Sequence, residues 1–262
     1  MDFSIILATK GRPETTRRTL ESYERLTYKD FEILFMDVCF DNTNQYPMYE
    51  EFKDRLPIRY LPLAENYRRY IPDVTTWSPA TTWNTGIRKA EGKFVIVTSS
   101  DIIISDADAL EKFLNQYNGN RISALTYFLP EEITYRTINT IDWKSDPRLI
   151  MTLPGFIEGN GGGRTNHTPT PANLLTFLTG TEKSKWEEIG GFRTQLSHLV
   201  NDQDLYLREL FLGKQTDTWD GCVALHQCHP VGEPVTPVSS PGWHYETERQ
   251  ARLIDEAPRD ET

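Results

Sequence analysis

In the first hundred residues, three short and mainly apolar runs, Phe3–Ala8, Phe31–Met36 and Lys93–Thr98, alternate with stretches that carry helix-start signals. That alternation restricts the possible folds more than any other feature of the chain. A short run with almost no polar interruption suits a strand buried on both faces, and strands separated by helices favour a parallel sheet with right-handed crossovers. Pro13, after Gly11-Arg12, is placed to open the first helix, where its missing N–H is not needed. Thr16, Leu20 and Tyr23 then recur at helical spacing to about Arg25. Ser78-Pro79 reads as a cap followed by proline, with Ala80, Trp83, Ile87 and Ala90 as an apolar stripe and Gly92 as the stop. Ile58–Leu61 reads as a short strand, and Ser105 with Asp108 as a capping box opening a helix to about Tyr117.

The second half is less regular. Ile122–Phe128, Ile133–Ile141 and Leu174–Leu178 read as strands from their β-branched, aromatic and aliphatic content. Glu182–Ile189 reads as a short helix stopped by Gly190-Gly191, and Asn201 as the cap of a helix from Asp202 to Leu212. Between them, Pro154–Pro171 is a polar loop rich in glycine, of a length usual for functional segments. From Pro230 onward the chain is proline-rich and is expected to wrap the surface irregularly.

Charge narrows the partners. With 28 basic and 38 acidic residues the formal net charge is -10, which argues against a non-specific grip on nucleic acid or anionic membrane. No apolar run approaches the ~18 residues of a membrane span. Met1 leads into a polar-punctuated strand, not a signal peptide. A cytoplasmic protein without stable membrane insertion is expected. The three cysteines, Cys39, Cys222 and Cys228, form no Cys-x-x-Cys pair and read as reduced, buried thiols.

In parallel α/β sheets, ligands bind beyond the carboxyl ends of the strands. Asp37 and Asp101 both fall at such ends, which places two acids from different strands on one rim. His226 and His229 follow a further strand signal, Cys222–Leu225. A carboxylate with an imidazole suits Mn²⁺ or Mg²⁺ bound together with substrate phosphate oxygens. Asn201-Asp202-Gln203-Asp204 sets acids in a first helical turn, where the macrodipole favours them and where one can accept a proton from a hydroxyl. Gly159–Gly163 lacks the lysine and the strand–loop–helix setting of a phosphate loop, and reads as conformational freedom.

Taken in order, these pieces resemble family 2 glycosyltransferases and their relatives of the GT-A fold, over roughly residues 3 to 229. Ser4–Glu14 looks like that family's first strand and nucleotide loop, and Phe31–Asp37 like the strand whose terminal Asp contacts the base. Trp83-Asn84-Thr85-Gly86-Ile87 is similar to the helix that faces the nucleotide. Val95–Asp101 occupies the place of the Asp-x-Asp motif, with Ser99 in place of its first acid and Asp101 as the retained metal-contacting member. Gly190-Gly191-Phe192 and Asn201–Leu205 look like the late Gly-Gly-Phe and Glu-Asp-x-Asp elements, with Asn201 in place of the Glu. His226–Pro230 sits where the family supplies a metal-binding histidine.

The resemblance implies an α/β fold of GT-A type, with a Rossmann-like, mostly parallel central sheet flanked by helices, a smaller mixed sheet and an irregular tail. Residues 1–118 would be a nucleotide-binding half, 119–229 the acceptor-binding and catalytic half of the same domain, and 230–262 the tail. Ala8, Thr9, Gly11, Arg12, Asp37, Asn84, Ser99 and Ser100 would line the nucleotide, with Gly190, Gly191, Phe192 and Asn201 near the donor or acceptor sugar. Asp101 with His226 or His229 would hold Mn²⁺ or Mg²⁺, and Asp202 would be the base of an inverting transfer. The donor implied is a nucleoside diphosphate sugar, with uridine preferred because Asp37 suits the N3–H of uracil. The acceptor is a hydroxyl on a glycan, a lipid-linked sugar or a modified base. Three alternatives stand beside this. A nucleotidyltransferase would share the nucleotide-binding half, although the basic Gly-rich triphosphate loop is missing. A non-catalytic nucleotide-sugar-binding module would accord with Ser99 and Asn201. A hydroxymethylated base in viral DNA is an acceptor for which Arg17-Arg18 and Arg68-Arg69 offer a local basic patch.

Overall fold

The computed structural model describes residues 1–9, 12–37, 45–62, 79–129, 133, 135–154, 156, 177–193 and 198–227, with backbone alone at 135 and 198–203. The parallel start is as the apolar runs require. β1 (Phe3–Thr9) is followed by α1 (Pro13–Glu24), β2 (Phe31–Asp37), α2 (Tyr46–Phe52) and β3 (Ile58–Pro62). Next come α3 (Pro79–Lys89), β4 (Phe94–Ser99), β5 (Ile102–Ile104), α4 (Ala109–Gln116) and β6 (Arg121–Phe128). The remainder comprises α5 (Tyr135–Ile138), a 3₁₀ turn (Pro147–Thr152), β7 (Leu178–Glu182), α6 (Lys183–Ile189), α7 (His198–Phe211) and β8 (Thr216–His226). Among the described residues, no helix is long and apolar enough to cross a membrane.

All eight strands form one sheet in the order β3-β2-β1-β4-β7-β6-β8-β5. β3, β2, β1 and β4 are parallel. The mixed part continues from them through the antiparallel β4–β7 pair, so the smaller mixed sheet is an extension of the first. Gly180 makes that junction possible, since a Cβ there would lie 2.8 Å from Ile96 Cγ1. β5 is four places from β4 in this order, yet only Ser100 and Asp101 separate them in the chain. Three Cα–Cα steps reach at most about 11 Å. Four strand spacings in a flat sheet span about 19 Å. The sheet therefore curls until its last strand returns to the end of β4.

Every residue of β1 and β2 is buried, which is why their sequences run apolar without alternation. Phe3, Ile5 and Leu7 pack with Leu20 and Tyr23 of α1 and Phe113 of α4. Ile6 and Ala8, pointing the opposite way, meet Trp83 of α3, Trp186 of α6 and Leu205 of α7. A third cluster joins Ile103 and Leu225 to Ile133, Ile138, Trp143 and Ile150.

Four sequence expectations are corrected. Ile133–Ile141 is not a strand but a short helix and turns, because Ile133 and Ile138 enter that third cluster and set its local geometry. Of the expected strand Leu174–Leu178, residues 174–176 lie outside the described residues, Phe177 is in a turn, and β7 runs from Leu178 to Glu182. The capping box does not form: α4 begins at Ala109, and the Ser105 hydroxyl donates to the buried Asp106 carboxylate. Helix α7 begins at His198, so Asn201 is interior and not a cap. An interior Asn costs at most ~0.7 kcal/mol, too little to stop a helix.

Helix α7 is tied to the sheet by a fully buried ion pair. Arg121 of β6 donates from Nε to Glu209 Oε1 at 2.7 Å and from Nη2 to Oε2 at 2.8 Å. Thr179 accepts from Nη1 at 3.0 Å and Thr216 from Nη2 at 2.9 Å, so β6, β7, β8 and α7 meet at one guanidinium. Arg121→Met leaves the Glu209 carboxylate buried without a counter-charge and is expected to cost about 3–5 kcal/mol in urea unfolding. Adding Glu209→Leu should recover most of that loss. A single variant within about 0.5 kcal/mol of wild type, the range of ordinary surface changes, would remove the pair from this role.

Candidate functional site

Strand order reverses its direction of growth between β1 and β4, the position at which open α/β sheets leave a crevice. The register sets Thr9 beside Asp37 and Ala8 beside Ser99 at the carboxyl ends. Asp37 is buried, and its Oδ2 accepts the Gln45 N–H at 2.7 Å and the Tyr60 hydroxyl at 2.6 Å, which fixes the carboxylate's orientation. Thr9 is turned back onto α1, with its hydroxyl 3.2 Å from that of Thr16. The Ala8 carbonyl accepts the Ser100 N–H at 3.0 Å, so the first strand also holds the bridge between β4 and β5.

On that bridge stands Asp101, with its carboxylate 5% exposed. Arg12, just before α1, donates from Nη1 to Oδ2 at 2.8 Å. The Ser99 hydroxyl donates to Oδ1. The curl of the sheet brings the end of β8 to the same carboxylate, and His226 Nε2 lies 3.8 Å from Oδ1. Phe128 and Phe177 hold the imidazole, with ring centroids at 4.6 and 4.7 Å.

Behind this group, α1 turns an unusually polar buried face to the bridge. Thr19 donates to the Ser100 carbonyl at 3.0 Å. Gln227, next to His226, donates its N–H to the Asp101 carbonyl at 2.8 Å. Its side chain donates to the Thr15 carbonyl at 3.0 Å and accepts from Arg18 Nε at 2.5 Å. Burial pulls the Arg18 guanidinium below its ordinary pKa, while Glu14 and Glu21 act in the opposite sense. Sequence reasoning missed Gln227, Gln45 and Tyr60 as supporting residues. Only the position of Gln227 directly after His226 was visible in the sequence, and its burial is a finding of the structure.

The Gly190-Gly191-Phe192 turn lies at the end of α6. Gly190 and Gly191 have φ of 82° and 61°, a region that favours glycine. Asn84 of α3 donates to the Phe192 carbonyl at 2.6 Å and accepts its N–H at 2.8 Å. Expected to line the nucleotide, Asn84 thus has its amide engaged with this turn. Arg208 of α7 donates to the Gly191 carbonyl at 2.7 Å and to buried Asp204 at 2.7 and 2.9 Å. The backbone places Asn201 and Asp202 on the same helix, about two turns before Arg208, and their side chains lie outside the described residues. Gly11, His229, most of the glycine-rich loop and the tail also lie outside them. Among the described residues, no group of three or more His, Cys, Asp or Glu side chains is arranged to hold a metal ion.

A curled, mostly parallel sheet with its polar rim at the β1/β4 reversal defines the GT-A glycosyltransferase fold. The profile described as glycosyl transferase family 2 matches residues 4–175, and the chain belongs to that family. Among solved structures it is similar to S. aureus TarS 1-349 in complex with UDP-GlcNAc, at 15% identity and a TM-score of 0.63, covering 97% of this chain and 66% of that one. It is also similar to the mannosyltransferase PcManGT from Pyrobaculum calidifontis in complex with GDP-Man and Mn²⁺, at 14% identity and a TM-score of 0.53. There the match covers 100% of this chain and 65% of that one, so the chain spans just under two thirds of the length of either. No curated protein matches it in sequence.

Replacing Asn84 by Ala strands the Phe192 N–H and carbonyl, both buried with the turn. Urea unfolding is expected to register a loss of about 1–3 kcal/mol for Asn84→Ala. Stability equal to wild type would show that the glycine turn does not depend on this amide.

Proposed function

We propose that the chain transfers a sugar from a nucleoside diphosphate sugar, preferentially a UDP-sugar, to a hydroxyl acceptor with inversion of configuration. One observation carries the reading: on a family 2 chain, Arg12, Asp101 and His226 meet at the carboxyl-end crevice, with Asp37 on the same rim. Residues 1–118 then supply the nucleotide site, 119–229 the acceptor side and 230–262 a tail. The solved structures of TarS with UDP-GlcNAc and PcManGT with GDP-Man support a nucleotide-sugar donor. A carboxylate fixed by Gln45 and Tyr60 is a suitable acceptor for the uracil N3–H, which favours uridine.

Asp101 and His226 fit a divalent cation. Two ligands ~2.1 Å from one ion lie ~3.0 Å apart at right angles and ~4.2 Å apart when opposed, by the octahedral geometry expected of Mg²⁺. Their donor atoms are 3.8 Å apart, between those two separations, so a side-chain shift of under ~1 Å would bring them to the adjacent arrangement. When bound, Mn²⁺ or Mg²⁺ supplies neutralisation of charge on the leaving diphosphate. Thr9, Ser99 and Ser100 border that diphosphate together with the backbone of Ala8, and Gly11, outside the described residues, belongs to the same loop by the family resemblance. Asp202, carried by a helix anchored through Glu209 and Arg208, takes the proton from the acceptor hydroxyl as its oxygen attacks the anomeric carbon. Asn201 and the Gly190–Phe192 turn face the sugar. The buried thiol of Cys222, whose pKa is raised by burial, accords with a reducing cytoplasmic setting.

A screen of UDP- and GDP-sugars for donor hydrolysis with Mn²⁺ tests the reaction class. Release of UDP is expected; no nucleoside diphosphate from any donor, together with release of pyrophosphate from a nucleoside triphosphate and a sugar 1-phosphate, would establish nucleotidyl transfer instead. Asp202→Asn should keep donor affinity near wild type while turnover falls by at least ~10²-fold. Undiminished turnover would take the proton transfer away from Asp202.

A further inference from the structure

We propose that Arg12 and the divalent cation are alternative counter-charges for Asp101, so that cation and nucleoside diphosphate bind this chain with positive coupling. The inference rests on the reading of Asp101 as a cation ligand and adds the device that controls its availability. Arg12 Nη1 lies 2.8 Å from Asp101 Oδ2, on the carboxylate that also faces His226. The acid is nearly inaccessible, with its side chain 5% exposed, while that of Arg12 is 35% exposed, so the guanidinium has room to leave and the carboxylate has not.

The backbone of Arg12 is meanwhile fixed. Its carbonyl accepts the Thr16 N–H at 3.0 Å, the Thr16 hydroxyl at 2.7 Å and the Thr15 hydroxyl at 3.1 Å. An exchange of partners therefore involves the side chain and leaves the backbone in place. Its base stands at the first turn of α1, a helix of 12 residues whose N-terminus borders the crevice. A diphosphate arriving there meets helix N–H groups and a guanidinium that together favour a dianion over a single carboxylate. Arg12 then moves to phosphate and uncovers Oδ2.

Ser99 makes the exchange consequential. With serine in place of an acid, Asp101 is the sole formal negative charge of the Ser99–Asp101 pair, and one guanidinium neutralises it. A second carboxylate would leave net attraction for a cation even with Arg12 in place. Here Arg12 cancels that attraction until the diphosphate removes it. By linkage, each ligand raises the affinity for the other by the same factor.

The test is calorimetric titration of Mn²⁺ alone, then UDP alone, then Mn²⁺ in saturating UDP. It compares the full chain with Arg12→Gln, Arg17→Gln and Asp101→Asn. Arg17 sits on the same helix and pairs with Glu51, so its variant removes an equal charge away from Asp101. Arg12→Gln is expected to bind Mn²⁺ alone about 10-fold more tightly than wild type, the scale of one charge-assisted hydrogen bond. It should also bind UDP more weakly and show less enhancement of Mn²⁺ binding by UDP. Arg17→Gln should match wild type, and Asp101→Asn should bind Mn²⁺ more weakly. Equal Mn²⁺ affinity in wild type and Arg12→Gln, with Asp101→Asn weakened, overturns the inference alone. Equal tightening in both arginine variants also overturns it, since a general charge effect then accounts for the change. Wild-type Mn²⁺ affinity in Asp101→Asn places the cation elsewhere and overturns the reading of Asp101 together with the inference.

Discussion

The two-residue bridge between β4 and β5 is the constraint from which the site follows. Because Ser100 and Asp101 alone connect strands four places apart in the sheet, the sheet must curl, and the curl brings β8 to the bridge. His226 pairs with Ile102 in that antiparallel contact, which puts its imidazole beside the residue that precedes Ile102. The meeting of Asp101 with His226 is thus a consequence of chain length, before any attraction between the side chains is considered. The Ala8 carbonyl, accepting from Ser100, and the Thr19 and Gln227 donors then hold the bridge from three directions.

Much of the supporting structure is buried and polar, which is costly unless every group finds a partner. α1 buries Thr15, Thr16, Thr19 and Ser22, and those hydroxyls bond to the helix itself, to the bridge or to Gln227. Arg121–Glu209 and Asp204–Arg208 do the same for α7. Buried ion pairs of this type contribute little net stability compared with apolar replacements. Their directional contacts orient α7 and the glycine turn relative to the sheet, and a helix held only by Leu205 and its apolar neighbours could slide.

The parallel half was legible in the sequence because strands buried on both faces leave an unbroken apolar record. Asp37 and Asp101 were legible for the same reason, as polar residues at the ends of such records. What failed was read from local propensity. Ile133–Ile141 carries β-branched residues, yet burial of Ile133 and Ile138 decides its form. Asn201 is a cap type in a helix that starts three residues earlier. The contact between Asp101 and His226 needed the curl, and the ion pair with Arg12 spans 89 positions, a distance that no local pattern reports. The bonds between the Asn84 amide and a turn more than a hundred residues away are likewise beyond any local pattern.

Ser99 gives the rim a different electrostatic character from one built on two acids. Two carboxylates this close repel each other, which favours a proton on one of them or a cation between them. Here the Ser99 hydroxyl donates to Asp101 where a second acid would repel it, and Arg12 supplies the opposite charge. The Arg12 guanidinium and the Asp101 carboxylate offset each other and the Ser99 hydroxyl bonds to the same carboxylate, so the fold can form this rim before a ligand enters. The same self-sufficiency sets a cost for binding. A ligand that uses Asp101 must first replace bonds already made, and a diphosphate is suited to that exchange because it offers the guanidinium a better partner than the carboxylate it leaves.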